Sequence, residues 1–271
     1  MTPYLSIAAI YRNEGPYLRE WIEFHKLVGV ERFFLYNNES TDDHLEVLAP
    51  YIDEGLVVWE DFPGFPPQLT CYQHCVETHR HDARWMAFID VDEFLFSPTW
   101  QPVSEVLRDY EQHPGVAVNC VVFGTSGHEV PPPGLVLENY TRRLGLERPR
   151  TRAVKAIVHP ARTERVGRSA HYFIYHDRAK AVDELHRRTP GHMSESASVE
   201  RLRINHYFTR SQEERLRKLA APRVDNGEQK PQEGVEERDR RLNEEPDHLI
   251  WHYLPALREA LGLEPAAAEG R

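Results

Sequence analysis

Cysteine is scarce in this sequence: three residues in 271, Cys71, Cys75 and Cys120. They form no CxxC pair and no bridging framework, which argues against a disulfide-stapled fold and suits a reducing compartment. Cys71 and Cys75 lie four apart in a stretch of helical character and are expected as small core residues. Long hydrophobic runs are also missing. None approaches the roughly 20 residues of a membrane span, so no transmembrane segment is expected. The opening MTPYLSIAAIYRNEG lacks the basic flank, long apolar stretch and cleavage site of a signal peptide, and the expected location is cytoplasmic. Positive charge is short as well, with 33 Lys and Arg against 43 Asp and Glu and a formal net charge of −10. That balance argues against nucleic acid as a partner, which requires a basic face. An acidic chain that binds a phosphate-bearing ligand needs local positive charge, from a few placed side chains or from a cation.

What is present is a chain 40% hydrophobic, able to bury a substantial core. Strand and helix signals alternate through its first half, the pattern of an α/β protein with a mostly parallel central sheet flanked by helices. A strand is expected at Leu5–Tyr11, then a helix opening at Pro16 and repeating Leu18, Trp21, Ile22, His25 and Val28 until Gly29. A second strand follows at Arg32–Tyr36. Ser40 is expected to cap a helix through Leu45, Leu48 and Ile52, ahead of a third strand at Leu56–Trp59. After a loop at Gly64–Pro67 and a helix at Gln68–His79, Trp85–Val91 reads as a strand buried on both faces. Farther on come a helix at Val103–His113 and strands at Val116–Gly124, Ala153–His159, Arg168–Tyr175 and Leu202–Tyr207. Ser211 to Glu214 reads as a capping box. Residues 224–247 read as charged and mobile. A last helix, Leu249–Leu263, should dock through Ile250, Trp251, Leu254 and Leu257.

The chemistry concentrates at Phe88-Ile89-Asp90-Val91-Asp92-Glu93-Phe94. Two aspartates one residue apart at the C-terminal end of a buried strand can chelate a hard divalent cation, Mg²⁺ or Mn²⁺. An ordinary acidic strand end fits the same residues, and only the setting favours a site. Asn13-Glu14 follows the first strand and Asn37-Asn38 the second, so both can line a crevice for a base and ribose; turn formation by the asparagines is compatible. Arg12, and Lys155 in the apolar strand Val154–Ile157, can supply positive charge to a phosphate.

The blocks AIYRNEGPYLREWIEFHKLVGVERFFLYNNESTDD and WMAFIDVDEFLF resemble glycosyltransferase family 92 and related family-2-like transferases. FGTSGH, VKAIVHP and RINHYFTRSQEE resemble later blocks of the same group. The resemblance runs from about residue 5 to residue 219. It implies a GT-A-type, Rossmann-like fold, a nucleotide-sugar donor (usually a UDP-sugar), a divalent cation and inverting transfer to a carbohydrate or other hydroxyl acceptor. It further implies that Glu14 and Asn38 touch the nucleoside, Asp90 the ribose or metal, and Asp92 the metal. His206, or next His171, would be a further metal ligand, which favours Mn²⁺. Relatives read Tyr-Asp-Asn-Gly-Ser-Thr-Asp at the second strand end. Asn37 here replaces the first Asp and removes a carboxylate.

Inverting transfer needs a base for the acceptor hydroxyl. Glu129 and His128, in the loop after a strand, and Glu93 beside the aspartates are the three candidates. The expected organisation is a transferase domain over 1–219, with a nucleotide-binding half (1–97) and an acceptor and metal half (98–219). A charged linker and C-terminal helix would fill 220–271. Two other readings stand beside this one: a haloacid-dehalogenase-like phosphohydrolase, whose Asp-x-Asp normally sits on the first strand, and an inactive carbohydrate- or nucleotide-binding module of the same fold.

Overall fold

A computed structural model of the chain describes residues 2–65, 67–220, 228 and 235–265. The apolar Leu5–Tyr11 forms strand β1 at the centre of the sheet. Helix α1 (Gly15–Leu27) follows, with Pro16 in its first turn and Gly29, at φ +95°, turning the chain back. Strand β2 (Arg32–Asn37), helix α2 (His44–Asp53), strand β3 (Val57–Asp61), helix α3 (Gln68–Thr78) and strand β4 (Trp85–Phe88) complete the first half. β1 pairs in parallel with β2 and β4, and β2 with β3. The C-terminal ends of all four strands therefore open on one edge, where α/β sheets bind ligands.

Two expectations change here. Ser40 does not cap α2, which starts at His44 with no side-chain cap; its Oγ instead accepts from the Asn13 backbone N–H at 2.9 Å. Glu39, at φ +56°, turns the chain so that Ser40 ties the loop after β2 to the loop after β1. The buried run Trp85–Val91 is not one strand. β4 stops at Phe88, a turn closes through Glu93 N–H to the Asp90 carbonyl at 3.0 Å, and strand β5 (Glu93–Phe96) leaves in a new direction.

The second half contains a short helix α4 (Val103–Val106) that tightens into a 3₁₀ turn at Leu107–Tyr110, so the helix expected through His113 is interrupted. Strand β6 (Gly115–Val122), helix α5 (Val136–Asn139) and strands β7 (Arg142–Arg143), β8 (Val154–Val158), β9 (Thr163–Val166) and β10 (Phe173–Tyr175) follow. Of the strand expected over Arg168–Tyr175, only the last three residues are extended, paired to β9. Strands β11 (Ala181–Val182), β12 (Arg188–Thr189) and β13 (Arg203–His206) precede helix α6 (Gln212–Ala220). The main path of the sheet runs β12-β11-β6-β8-β4-β1-β2-β3, with β13 joining β6 to β5. β8 runs antiparallel between β4 and β6, and the β1 to β4 half is all parallel. The architecture is the expected α/β class.

Within the stretch read as mobile, helix α7 spans Val235–Leu242 and strand β14 (Glu245–Pro246) pairs with β7. The remainder of 224–234, apart from Glu228, lies outside the described residues, as does Pro66 of the expected loop. Helix α8 (Leu254–Ala260) packs on α1 through buried Leu254 and Leu257, preceded by buried Ile250. Trp251 does not dock fully: it is 40% exposed, and its indole N–H donates to the Leu137 carbonyl.

Apolar side chains cover both faces of the sheet. On the α1 face Trp21, Phe24, Phe33, Phe94 and Tyr207 form one cluster; on the α3 face Tyr72, Cys75, Phe88 and Phe173 form another. Each large side chain enclosed this way contributes roughly 1.5–3 kcal/mol. All three cysteines are buried and unpaired, as expected. No described helix is long and apolar enough to cross a membrane.

Candidate active site

Charge gathers where β4 ends because separate strands deliver it there. The turn after β4 carries Asp90 and Asp92, β5 opens with Glu93, β8 contributes Lys155, and β13 ends on His206 opposite Glu93. Lys155 Nζ lies 2.7 Å from Asp90 Oδ2 and 3.0 Å from Glu93 Oε2, and its side chain is 1% exposed. It is enclosed and does not run out to solvent. Burial works against its charge, yet Asp90 and Glu93 hold its pKa well above the ordinary value. Gln68 donates to Asp90 Oδ1 at 2.9 Å, and Tyr72, one turn later on α3, reaches the same oxygen at 3.4 Å. Both Asp90 oxygens are thus engaged by protein donors.

Asp92 faces the other way. Its Oδ2 lies 2.5 Å from Lys218 Nζ on α6, and its Oδ1 3.5 Å from His206 Nε2. Burial would raise its carboxyl pKa, but Lys218 and then His206 pull it well below the usual carboxylate range. Glu93 is fully enclosed, and burial pushes its carboxyl upward against the opposing pull of Lys155. Its Oε1 has no well-aligned hydrogen bond, and His206 Nδ1 approaches it at 3.3 Å. His206 stands between the two carboxylates, its Nδ1 toward Glu93 and its Nε2 toward Asp92. A carboxylate that fixes a histidine tautomer is the outer shell that orients metal-binding imidazoles. Asp92 and His206 thus face each other beside the enclosed Glu93, with Lys218 on the far oxygen of Asp92. His171 donates from Nδ1 to the Val154 carbonyl at 2.9 Å; burial, aided by Lys155, lowers its pKa to about 4 and keeps it neutral. Among the described residues no group of three or more His, Cys, Asp or Glu side chains is arranged to hold a metal ion.

Two cations escaped the sequence reading, Arg210 and Lys218. Arg210 is buried, 2.7 Å from Glu14 and 3.5 Å over the Tyr17 ring, and its backbone adopts φ +48°. A non-glycine residue in that region stores strain that the surrounding contacts hold in place. The Glu14 and Asp92 charges outweigh desolvation and raise the Arg210 pKa. Both cations lie in the charged run after β13, Arg210 just before and Lys218 within the segment that reads as a basic and acidic helix. The available signal was the capping box. Ser211 and Glu214 do exchange bonds, Glu214 N–H to Ser211 Oγ at 3.3 Å and Ser211 N–H to Glu214 Oε2 at 3.1 Å. That sets where α6 begins, and Lys218 lies one turn beyond Glu214 on the same face.

The residues assigned to a nucleotide divide. Asn37 lines a cavity of about 420 Å³ with Glu39, Ser40, His44, Trp59 and Asp61, at the C-terminal ends of β2 and β3. Asn38 is buried and donates to the Phe62 and Gly64 carbonyls, each at 3.0 Å, so it shapes the cavity's loop. Asn13 is exposed and accepts from the Thr41 N–H at 2.7 Å. Glu14 is committed to Arg210, and Arg12 is exposed.

The loop after β6 begins next to His206, whose carbonyl accepts from Phe123 N–H. Asn243 grips this loop, accepting from Ser126 N–H at 2.7 Å. His128 donates from Nε2 to the Asn139 carbonyl at 3.0 Å, which leaves Nδ1 as its basic nitrogen. Glu129 is exposed. The third base candidate, Glu93, is enclosed behind His206 and Lys155.

The model of glycosyltransferase family 92 matches residues 4–246. A family 92 protein of Oryza sativa subsp. japonica is 35% identical over 52% of this chain and 25% of its own length. One from Arabidopsis thaliana is 28% identical over 75% of this chain and 35% of its own. Galactan beta-1,4-galactosyltransferase GALS2 of Arabidopsis thaliana is 32% identical over 39% of this chain and 22% of its own. The aligned part thus spans between about a fifth and a third of these relatives. Among solved structures, S. aureus TarS 1-349 in complex with UDP-GlcNAc superposes with a TM-score of 0.42 at 13% identity, over 72% of this chain and 62% of that one.

Proposed function

The chain belongs to glycosyltransferase family 92, and on that premise we propose that it transfers a sugar from a nucleotide-sugar donor, a UDP-sugar, to a carbohydrate hydroxyl with inversion. The observation that carries this reading is the placing of two features on one sheet edge. The cavity of Asn37, Trp59 and Asp61 sits at β2 and β3, and the carboxylate cluster at β4, with β1 between. At about 4.8 Å per strand the two are roughly 10–14 Å apart, the scale of the span from a nucleobase to its second phosphate. Trp59 offers a face for a base, and Asp61 and Asn37 offer an acceptor and an amide.

Asp92 and His206 fit a divalent cation such as Mn²⁺, since an imidazole and a carboxylate favour Mn²⁺ over Mg²⁺ and leave room for phosphate oxygens. When bound, such a cation supplies positive charge to the departing nucleoside diphosphate. Glu93 holds His206 in the tautomer this needs. Lys155 keeps Asp90 and Glu93 in place, and Asp90, one-third exposed, presents its edge toward the donor. The proton of the acceptor hydroxyl passes to the His128–Glu129 pair, whose loop borders His206. The named activity of the galactan relatives makes a galactosyl donor the first to test.

The test is thermal denaturation of the chain with a panel of nucleotide sugars, with and without Mn²⁺, on wild type and Asp92→Ala. A ligand at 100 times its Kd stabilises by about 2.7 kcal/mol. One nucleotide sugar should raise the melting temperature only with Mn²⁺, and the substitution should remove the rise. Equal shifts in both proteins, or none for any nucleotide, would sink the reading.

A further inference from the structure

The two ammonium groups of the cluster are held in different ways. Lys155 is enclosed within the sheet, 1% exposed, between two carboxylates. Lys218 is 30% exposed and extends from α6, a helix anchored at its other end by the Ser211 capping box; it has a second acceptor in the Phe208 carbonyl at 3.3 Å. One cation is built in. The other is able to leave.

Charge balance decides what its leaving would do. With Arg210 balanced by Glu14 and with Lys155 holding Glu93 ionised, Asp90, Asp92 and Glu93 against Lys155 and Lys218 leave the cluster one negative charge. A dication added beside both lysines would turn it positive. A dication that takes the place of Lys218 at Asp92 brings it to neutrality and frees an ammonium. An arriving diphosphate carries the negative charge that this ammonium then needs.

We propose that Lys218 is a resident counter-ion of Asp92 that yields the carboxylate to the divalent cation and then pairs with the diphosphate of the donor. This deepens the metal-dependent reading above and rests on it. Lys218 thereby becomes a donor-site residue in two states, guarding Asp92 when the site is empty and gripping phosphate when it is filled. Its exchange couples the position of α6 to donor binding.

The test measures binding and not turnover. Mn²⁺ is titrated by electron paramagnetic resonance into the whole chain without nucleotide, for wild type, Lys218→Met, Lys218→Gln, Lys218→Arg and Asp92→Asn. UDP is then titrated calorimetrically at saturating Mn²⁺, and thermal denaturation confirms that each variant is folded. Lys218→Met and Lys218→Gln should bind Mn²⁺ about tenfold tighter than wild type and UDP about tenfold weaker, with Lys218→Arg close to wild type in both. Equal Mn²⁺ affinity in wild type and both neutral variants, with binding lost in Asp92→Asn, overturns the exchange and leaves the metal site standing. No Mn²⁺ bound by any form overturns both.

Discussion

Asn37 on β2 donates from Nδ2 to Asp61 Oδ1 on β3 at 2.7 Å, inside the cavity assigned to the nucleoside. Position 37 carries no carboxylate, but Asp61 supplies one a strand over. The Asn–Asp pair also explains why position 37 is an amide. An Asp there would put two carboxylates in contact in a half-buried pocket. Asn37→Asp should therefore lower the melting temperature at pH 7 and recover on acidification toward pH 4, where one carboxyl takes up a proton. A pH series of thermal melts checks this, and a pH-independent difference from wild type would refute it.

Lys155 is the counter-ion for two carboxylates, and removing it leaves them uncompensated. Lys155→Met should destabilise the fold by about 3–5 kcal/mol, the usual result of breaking a buried pair from one side. Urea denaturation measures it. A loss below 1 kcal/mol would mean that Asp90 and Glu93 do not depend on this ammonium.

Glu93 is enclosed and faces His206 Nδ1, so its expected role is to orient the imidazole. Glu93→Gln should reduce Mn²⁺ affinity by about 10–100-fold, the range for outer-shell partners of metal ligands. The same variant keeps an oxygen for the Asp90 N–H but takes one of two counter-ions from Lys155, so its nucleotide-free melting temperature should fall below that of wild type. Unchanged Mn²⁺ affinity would remove Glu93 from the site.

His25 on α1 joins two elements: Nδ1 donates to the Trp21 carbonyl at 2.8 Å, and Nε2 accepts from Leu95 N–H at 3.1 Å. Burial lowers its pKa from 6.5 to about 3. A base whose folded pKa is depressed contributes stability above its unfolded pKa and loses it as acid is added. The fold should therefore weaken as pH falls from about 6.5 toward 3. His25→Gln keeps a donor and an acceptor but does not titrate. Urea midpoints at pH 7 and pH 5 should show a smaller drop for the variant than for wild type; equal drops would refute the assignment.

Much of the parallel half was legible because local rules and tertiary packing agree there. Leu5–Tyr11 is apolar for its whole length and is a central strand; Gly29 supplies the positive φ that ends α1. Trp85–Val91 misled because Ile89 and Val91 are as apolar as the strand before them. The turn is set by Glu93, which caps Asp90 N–H at 2.9 Å, and by β13 far along the chain, and neither appears in a hydrophobicity pattern. The site divides the same way. Asp90, Asp92, Glu93, Lys155 and His206 stood out as polar residues in or beside apolar strands, and the fold brings them together. Lys218 did not stand out, since in a helix rich in both charges no single cation differs from its neighbours until the fold assigns one face to the interior, and Arg210 did not because it lies in the polar turn just before that helix.

The ion pairs also impose an order on folding during synthesis. Lys155 follows Asp90 by 65 residues, and Lys218 follows Asp92 by 126. At about 5–20 residues per second, a ribosome needs roughly 3–13 s to supply the first partner and roughly 6–25 s to supply the second. Until then the growing chain holds acidic groups at the end of β4 with no lysine to meet them, so that end of the sheet must stay open to water while the other parallel strands assemble.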